Sequence, residues 1–371
     1  MFESISLHHF KCFATQIDIN LSRVNVFYGK NGRGKSSVAQ VFLLLGQTFL
    51  NDDINYLQIN GNLVKLGLFS DILSVNNSEN IIRFEFKLKG LENKLIFAYQ
   101  EDKQKPSIGK LIQLEADGKN LMEEKASSDF KQTRDSASTL SLTAISGYSG
   151  YENFKNIYFV SASRQGQVNS EQRNDICGKV GIKGENIINL LQAKGEEFQK
   201  KVSSVLSGIL DGATLKAKDS ATREYVDLFL DSKDNGEAFR PVNVGFGYSY
   251  ILPIIVNMLV IPEGSVLIVE NPEAHLFPAA QSRLMEFLVK YSQKRNIQVI
   301  VESHSDHVVN GVRIAVKKGE ITPQDIVIDY FDRDTEGHAL VKDIHVDMNG
   351  ELDDYPDDFM DEWTKQLLQL V

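Results

Sequence analysis

The chain has 371 residues, of which 42% are hydrophobic, so it can bury the core of one large domain or of two ordinary domains. Its formal net charge of −10 argues against a protein that coats nucleic acid without selectivity. The two cysteines, Cys12 and Cys177, form no metal-ligand pattern and fit a reducing cytosol. The N-terminus lacks the layout of a secretory signal, and the longest apolar run, residues 251–262, is too short to span a bilayer. We therefore expect a soluble, cytoplasmic protein.

The first predicted elements surround a glycine-rich turn. Apolar and polar residues alternate over residues 5–7 and 17–21, which predicts two half-buried antiparallel strands. Residues 24–28 are mostly apolar and predict a buried strand, and the long apolar segment of residues 38–50 predicts a helix. The turn between them, residues 29–36, is therefore expected to connect a strand to a helix.

This turn has the sequence GKNGRGKS, which fits the phosphate-binding pattern G-x-x-x-x-G-K-[ST] in the strand–turn–helix context that the pattern requires. Glycines let backbone N–H groups close around a phosphate, and the helix N-terminus adds about half a positive charge. Lys35 can reach the β- and γ-phosphate oxygens, and the Ser36 hydroxyl can bind Mg²⁺. The chain is therefore predicted to bind a nucleoside triphosphate.

The middle of the chain has a different composition. Residues 81–88 and 94–99 are expected to be strands of a hairpin-rich sheet, whereas residues 101–139 are polar and are expected to form mobile loops. Apolar side chains recur at helical spacing over residues 185–210, which predicts a helix. A strand–helix–strand pattern follows over residues 265–318, and the sequence has no internal repeat and no heptads long enough for a coiled-coil arm.

Two buried strands in this second half end in side chains that can do chemistry. Residues 266–269 lead to Glu270, at the strand end where such folds place the carboxylate that holds a Mg²⁺-bound water. Residues 299–301 lead to His304, where a neutral imidazole could contact a γ-phosphate. The strands start about 30 residues apart, which fits a right-handed βαβ crossover. A hydrogen-bonded structural histidine is the alternative for His304, and a metal site with His307 is disfavoured because no other ligand has suitable spacing.

A second candidate anion site lies between these elements. Residues 244–249 (VGFGYS) precede an apolar run that resembles a helix. Small residues and a hydroxyl at a helix start can bind an anion, and an ordinary capped helix start is the alternative. Two phosphate-binding helix starts and a downstream histidine are the layout of a protein that sandwiches ATP between two subunits, so that the second motif contacts the γ-phosphate held by a partner.

The order of these motifs resembles that of ABC-type ATPase heads, and most closely that of the bacterial SMC-like AAA ATPases related to the overcoming-lysogenization-defect nucleases. The resemblance covers nearly the whole chain except residues 51–150. Residues 350–359 are similar to the small C-terminal domain of unknown function found on one branch of that group. The segments that carry the resemblance are FKCF (10–13), GKNGRGKS (29–36), GFGYS (245–249), ENPEAHLFP (270–278) and ESHSDH (302–307).

The resemblance implies an α/β fold, namely an ABC-type, SMC-head-like P-loop ATPase with an antiparallel β-rich subdomain and a helical lobe that carries the signature motif. It also implies a head-to-head homodimer that buries ATP and Mg²⁺ between protomers, with higher oligomers left open. The implied parts are residues 1–50 (N-terminal strands and Walker A segment), 51–155 (β-rich insertion with mobile loops), 156–262 (helical lobe with the signature motif), 263–322 (Walker B and switch histidine) and 323–371 (C-terminal hairpin and small tail domain).

The resemblance further implies roles for individual residues. Ser36 and the Walker B acid, Glu270, would hold Mg²⁺, and His304 would be the switch histidine. Arg164 and Gln165 lie where a Q-loop-like segment would connect the two lobes. The implied ATP-binding residues are Gly29, Lys30, Asn31, Gly32, Arg33, Gly34, Lys35, Ser36 and Ser37 of the Walker A loop, with Gly245, Gly247 and Ser249 of the signature motif acting on the partner's ATP.

Several residues depart from the pattern of ABC heads. Asn271 replaces the catalytic Glu that usually follows the Walker B acid, and an amide cannot act as a general base. Either Glu273 takes that role or turnover is slow, since loss of a general base typically costs about 10²–10⁴-fold in rate. Tyr250 replaces the Gln expected after the signature Ser, Phe277 stands where His is common, and Arg33 replaces a small residue.

The function expected from these features is an ATPase switch or sensor whose dimerisation controls a partner effector, such as a nuclease or toxin in bacterial antiphage defence. The alternative is an SMC-like ATPase of DNA repair or maintenance, so DNA is left open as a partner, although the arms are absent and the charge is adverse. No membrane partner is expected. A transporter subunit is disfavoured by the HLFP segment and the β-rich insertion, and a GTPase by the lack of an N-K-x-D tetrad.

An effector module of its own is not expected in the chain. Asp329, Asp332 and Asp334 follow the last ATPase strand on a predicted hairpin, where solvated turn residues are favoured over the metal site of a nuclease. The sequence given continues for about 25 residues beyond that hairpin, which is too short for a nuclease domain.

Overall fold

The computed structural model describes residues 1–51, 54–75, 77, 79–116, 118–122, 151–232 and 238–370. Within these ranges, no helix is both long enough and apolar enough to cross a membrane. The helices are α1 (Lys35–Leu50), α2 (Phe69–Ile72), α3 (Ile187–Ile209), α4 (Phe246–Val260), α5 (Pro278–Lys294), α6 (Asp306–Lys317) and α7 (Glu362–Gln369), and three 3-10 turns span Tyr151–Phe154, Pro241–Asn243 and Pro323–Asp325.

Seven antiparallel strands form the first sheet. They are β1 (Phe2–His8), β2 (Ile17–Asn20), β4 (Tyr56–Gln58), β5 (Ile81–Leu88), β6 (Leu95–Glu101), β7 (Ile108–Ala116) and β8 (Lys119–Asn120). Their order is β2-β1-β5-β6-β7-β4, with β8 paired to β7. Alternate side chains of β5 are buried, as its alternating sequence predicts. The predicted N-terminal strand pair and the hairpin of β5 and β6 are confirmed.

The loop predicted over residues 101–139 is wrong where β7 forms. Leu111, Leu114 and Ala116 are buried, and β7 pairs with β6 around a register shift at Ala98 and Tyr99. The segment is polar on average, but its apolar and polar side chains alternate. This alternation, rather than the composition, decides whether one face of a strand can be buried. The end of that prediction, residues 123–139, lies outside the described residues.

A mixed sheet of six strands carries the glycine-rich turn. Its strands are β3 (Val24–Gly29), β9 (Ile157–Val160), β13 (Val266–Glu270), β14 (Gln298–Ser303), β15 (Ile326–Arg333) and β16 (Ala339–Ile344), in the order β16-β15-β3-β14-β13-β9. All neighbours pair in parallel except the hairpin of β15 and β16. The predicted β13–α5–β14 crossover and the C-terminal hairpin are confirmed. A third sheet, ordered β10-β12-β11, contains β10 (Ser170–Gln172), β11 (Thr214–Asp219) and β12 (Tyr225–Asp231).

Two hydrophobic cores enclose the mixed sheet. On one face, Ile268 and Ile300 pack with α1 and the phenylalanine-rich first sheet. On the other face, Leu267 and Val299 pack with α3, α4, α5 and α6. Strands buried on both faces need continuous apolar sequences, which is why β13 and β14 read as apolar runs. The predicted helix of residues 185–210 is α3, which is kinked at Gly195.

The start of the glycine-rich turn is tightly constrained. Gly29 has a φ of 138°, and a Cβ atom there would overlap the carbonyl oxygen of Phe331 on β15. Because β3 and β15 are neighbouring parallel strands, β15 fixes the place where the turn begins. A side chain at this position would therefore strain both backbones.

We expect Gly29→Ala to lower the free energy of unfolding by about 2 kcal/mol or more, since backbone strain adds to overpacking. Gly264→Ala is the control, because Gly264 has a φ of 80° but has open space around it. This control should lose about 1 kcal/mol, the cost of the left-handed backbone alone. Urea unfolding measures both changes, and equal losses would contradict the packing argument.

Candidate nucleotide-binding site

The predicted site residues follow neighbouring strands of the mixed sheet. Glu302 on β14 is in register with Phe27 on β3 and with Glu270 on β13. The carboxyl ends of parallel strands meet at one edge of a sheet, and this edge is where α/β folds bind ligands. The turn after β3, the turn after β14 and the loop after β13 therefore lie side by side.

The glycine-rich turn leads directly into helix α1. Gly34 is the N-cap residue, with a φ of 108°, and a Cβ atom there would lie 2.6 Å from the Phe13 ring and 2.9 Å from the Cys12 Sγ. The predicted FKCF segment thus packs against the turn. An open cavity at this place is lined by Lys11, Cys12, all residues from Asn31 to Ser37, Glu302 and His304. Glu270, Glu273 and the signature residues do not line it.

Lys35 folds back onto the turn. Its Nζ donates to the carbonyl oxygens of Gly29 and Lys30, at 2.7 Å each, and the residue is 3% exposed. Burial lowers the pKa of the Lys35 ammonium to about 8, although the carboxylates of Glu302 and Glu273 oppose this shift. The cation bonds to neutral carbonyl groups, so an incoming phosphate oxygen would be a stronger partner.

Ser36 contacts a carboxylate that the sequence analysis did not assign. Its Oγ donates to the Oε1 atom of Glu302 at 2.6 Å. Glu302 is 7% exposed, its Oε2 atom is buried without a hydrogen-bond partner, and burial raises the pKa of its carboxyl group. The sequence signal that could have found it is an acid at the end of an apolar strand, two residues before His304.

Glu270 has other partners. Its Oε2 atom accepts a hydrogen bond from the Ala162 N–H at 3.0 Å, and its carbonyl oxygen accepts one from Arg164 at 2.8 Å. Across the described residues, Ser36 is bonded to Glu302 and not to Glu270. Glu270, the predicted Walker B acid, therefore lies at the carboxyl edge of the sheet, one strand farther from the turn than Glu302.

Glu273 and His304 are joined directly. The backbone N–H of His304 donates to the Oε1 atom of Glu273 at 2.9 Å, and the Oε2 atom of Glu273 is buried without a partner. Burial and the nearby Lys35 lower the pKa of the His304 imidazole. The shift favours the neutral form of the ring, the form that the sequence analysis proposed for a contact with a γ-phosphate.

Arg164 holds the loop that contains Asn271. It is 3% exposed, and its guanidinium donates to the carbonyl oxygens of Ser161, Glu270 and Asn271 while it lies 5.2 Å from the Tyr250 ring centroid. Asn271 itself has a φ of 44°, a left-handed conformation that Asn tolerates better than Glu. Arg164 therefore fixes the backbone of this loop, a role that its resemblance to a Q-loop-like residue does not imply.

The signature segment lies against the same loop. Gly245 is the exposed N-cap residue of α4. Phe246 of that helix stacks on His275 of the loop, and Tyr250 packs edge-on against the same ring. Ser249 lies one turn into the helix, is 8% exposed, and has an unpartnered Oγ atom. Of the predicted signature residues, Gly245 is thus at the accessible helix end and Ser249 is inside the protein.

The C-terminal segment reaches the glycine-rich turn. Lys30 forms an ion pair with Asp358, and the Nε atom of Arg33 lies 3.4 Å from the Oδ1 atom of Asp332. The Phe359 ring packs edge-on against Tyr28, which precedes the turn. Both cationic turn residues besides Lys35 are therefore paired with acids that lie after β14 in the sequence.

The donor set at the turn fits a magnesium–nucleotide complex. Mg²⁺ prefers carboxylate, hydroxyl and water oxygens, and it usually keeps several waters while binding phosphates. Ser36 supplies a hydroxyl, and Glu302 and Glu273 supply buried carboxylate oxygens that have no hydrogen-bond partner within the described part of the chain. Among the described residues there is no group of three or more His, Cys, Asp or Glu that could hold a metal ion without a nucleotide.

Two family models match the chain. The model described as AAA ATPase domain matches residues 1–309, and the model described as Protein of unknown function (DUF3696) matches residues 321–370. No match is found among curated proteins.

Solved structures of SMC heads are similar to the chain. A SmcHead bound to the C-winged helix domain of ScpA is 13% identical, with a TM-score of 0.55, over 93% of this chain and 98% of that chain. A Smc head domain with an extended coiled coil, bound to the C-terminal domain of ScpA derived from Pyrococcus furiosus, is 12% identical, with a TM-score of 0.52, over 100% and 99%. At this identity the likeness is one of fold, and it confirms the predicted SMC-head-like, ABC-type P-loop architecture.

The lowered pKa of Lys35 predicts proton uptake when ATP binds. A phosphate partner favours the charged ammonium, so the complex holds more protons than the free protein above pH 8. Affinity for ATP should therefore fall as pH rises from 7 to 9.5, by at most about tenfold per pH unit. Calorimetry at pH 8.5 in buffers of different ionisation enthalpy measures the uptake. Binding heats that do not depend on the buffer would contradict the prediction.

Proposed function

The chain belongs to the AAA ATPase domain family, and from this premise we propose that it is an ATP-dependent switch. In this proposal, two copies associate head to head around ATP and Mg²⁺, and the associated state controls a partner effector. Hydrolysis is slow and returns the heads to the separated state.

The observation that carries this proposal is that the helix starts of α1 and α4 lie at the same edge of the mixed sheet. The N-terminus of α1 follows β3, whereas the N-terminus of α4 packs on the loop after β13, with β14 between the two strands. A helix N-terminus attracts a phosphate through its free N–H groups and its dipole. The second start is thus available to a nucleotide held by another copy.

The proposed roles follow from the positions of these residues at the carboxyl edge of the mixed sheet. Residues 29–37 would enclose the phosphates, and Lys35 would exchange its carbonyl partners for β- and γ-phosphate oxygens. Ser36 and Glu270 would hold Mg²⁺, which when bound neutralises the developing charge on the phosphates. His304 would contact the γ-phosphate through a neutral ring, and the free Oε2 atom of Glu273 would accept a proton from the attacking water.

The proposed effector is a second protein, such as a nuclease or toxin of bacterial antiphage defence. The SMC-head structures named above were solved with a bound domain of ScpA, which supports the idea that heads of this fold engage other proteins. The defence context is proposed from the resemblance to the overcoming-lysogenization-defect group. The net charge of −10 makes DNA the less favoured partner.

A charge at the second helix start should prevent association. Gly245→Glu would place a carboxylate opposite the partner's γ-phosphate, so we expect ATP-dependent dimers to be lost while each monomer still binds ATP. Gly245→Ala is the matched control, because the nearest neighbour of a Cβ atom there is the Tyr248 ring at 3.8 Å. Sedimentation with a non-hydrolysable ATP analogue measures both variants. Normal dimers of the Glu variant would refute the sandwich geometry.

Turnover should depend on Glu273. Glu273→Gln is expected to lower kcat by about 10²–10⁴-fold, whereas Asn271→Glu is expected to raise it by adding a base at the adjacent position. Glu263→Gln, an exposed acid before the opposite end of β13, is the control and should keep the wild-type rate. Phosphate release under saturating ATP measures all three. If Glu273→Gln retains full turnover, the proton acceptor lies elsewhere.

A further inference from the structure

The buried carboxylate of Glu302 needs an explanation. Removing a carboxylate from water is costly unless its oxygens find partners. The side chain is 7% exposed, Oε1 accepts one hydrogen bond from Ser36, and Oε2 has no partner among the described residues. An amide or an apolar side chain would avoid this cost, and packing therefore does not account for an acid here.

The position of Glu302 is set by the sheet and not by a loop. It is the fifth residue of β14, and its neighbours across the sheet are Phe27 and Glu270. Strand β14 lies between β3 and β13. From this position the Glu302 side chain reaches Ser36 in the first turn of α1. A residue on a central strand is held rigidly, which suits a group that must orient another side chain.

The hydrogen bond from Ser36 has a direction that suits a metal ligand. A serine that binds a cation must turn a lone pair toward it and donate its proton elsewhere. Glu302 takes that proton at 2.6 Å, which leaves the lone pairs of the Ser36 Oγ free for an ion in the cavity at the turn. Among the described residues, Ser36 makes no hydrogen bond to Glu270, whose Oε2 atom accepts one from the Ala162 N–H.

We propose that Glu302 is a positioning residue of the magnesium site, which accepts the Ser36 hydroxyl proton through Oε1 and a metal-bound water through Oε2. Glu270, on the neighbouring strand β13, then contacts other waters bound to the Mg²⁺ ion. The inference rests on the proposed binding of ATP and Mg²⁺ at residues 29–37, and it adds a second acid to the single Walker B carboxylate assigned there.

Glu302→Gln in the full chain tests this role. With a fluorescent ATP analogue in EDTA, the variant should bind within about twofold of wild type. When Mg²⁺ is then added, the Mg²⁺ concentration that gives half-maximal effect should be about 10–100-fold higher for the variant than for wild type. This is the usual loss of metal affinity when a group supporting a metal ligand is replaced. Ser36→Ala should show a similar rise, and the double variant should not add a second full loss, because both changes break one hydrogen bond.

Asp329→Asn is the matched control. Asp329 is an acid on β15 of the same sheet with no exposed surface, so its replacement also removes a buried carboxyl group. It should leave the Mg²⁺ dependence unchanged. A Glu302→Gln variant with wild-type Mg²⁺ dependence would overturn this inference alone. Wild-type protein that binds the analogue no better than Lys35→Ala would overturn the proposed function, and this inference with it.

A structure of wild-type protein with Mg²⁺ and a non-hydrolysable analogue decides the question if the Gln variant does not fold. Glu302 within hydrogen-bond distance of both the Ser36 Oγ and a metal-bound water supports the proposal. A Glu302 side chain turned away from Ser36 in that complex overturns it.

Discussion

The burial of charge at one edge of the mixed sheet is the constraint on which the site depends. Lys35 and Arg164 are each 3% exposed, and both donate to backbone carbonyl oxygens rather than to carboxylates. The neighbouring acids are thereby left with unpartnered oxygens on Glu273 and Glu302. The buried cations therefore have neutral partners, and each of the two acids has one oxygen without a partner among the described residues. Such a site is suited to a ligand that supplies both a phosphate and a cation.

The sequence predicted the features that local patterns determine. The strand–turn–helix of residues 24–50, the βαβ crossover and the ends of β13 and β14 follow from apolar runs, glycines and chain spacing. Glu302 was missed because its role depends on the strand order, which puts β14 between β3 and β13. The burial of Ser249 was not predicted, because the spacing of the glycines does not define where the helix begins. Helix α4 begins at Phe246, so Ser249 lies one turn inside it.

The C-terminal segment and the phosphate-binding turn form one unit. The ion pair of Lys30 and Asp358 is exposed to solvent and contributes little to stability. The stronger coupling is steric, because β15 touches the backbone at Gly29 and the Phe359 ring packs on Tyr28. A ligand that reorders the turn must therefore also act on residues after β14.

The proposed slow turnover has a structural reason beyond the missing Glu. Asn271 is held in a left-handed conformation, and its backbone N–H and carbonyl are bonded to Glu302 and Arg164. This residue thus shapes the loop, and its amide suits that backbone better than a longer carboxylate would. Glu273, the proposed proton acceptor, receives the His304 N–H hydrogen bond through one oxygen, and its other oxygen is left for a water. Both features accord with the proposed slow turnover, which is the property that a nucleotide-locked switch requires.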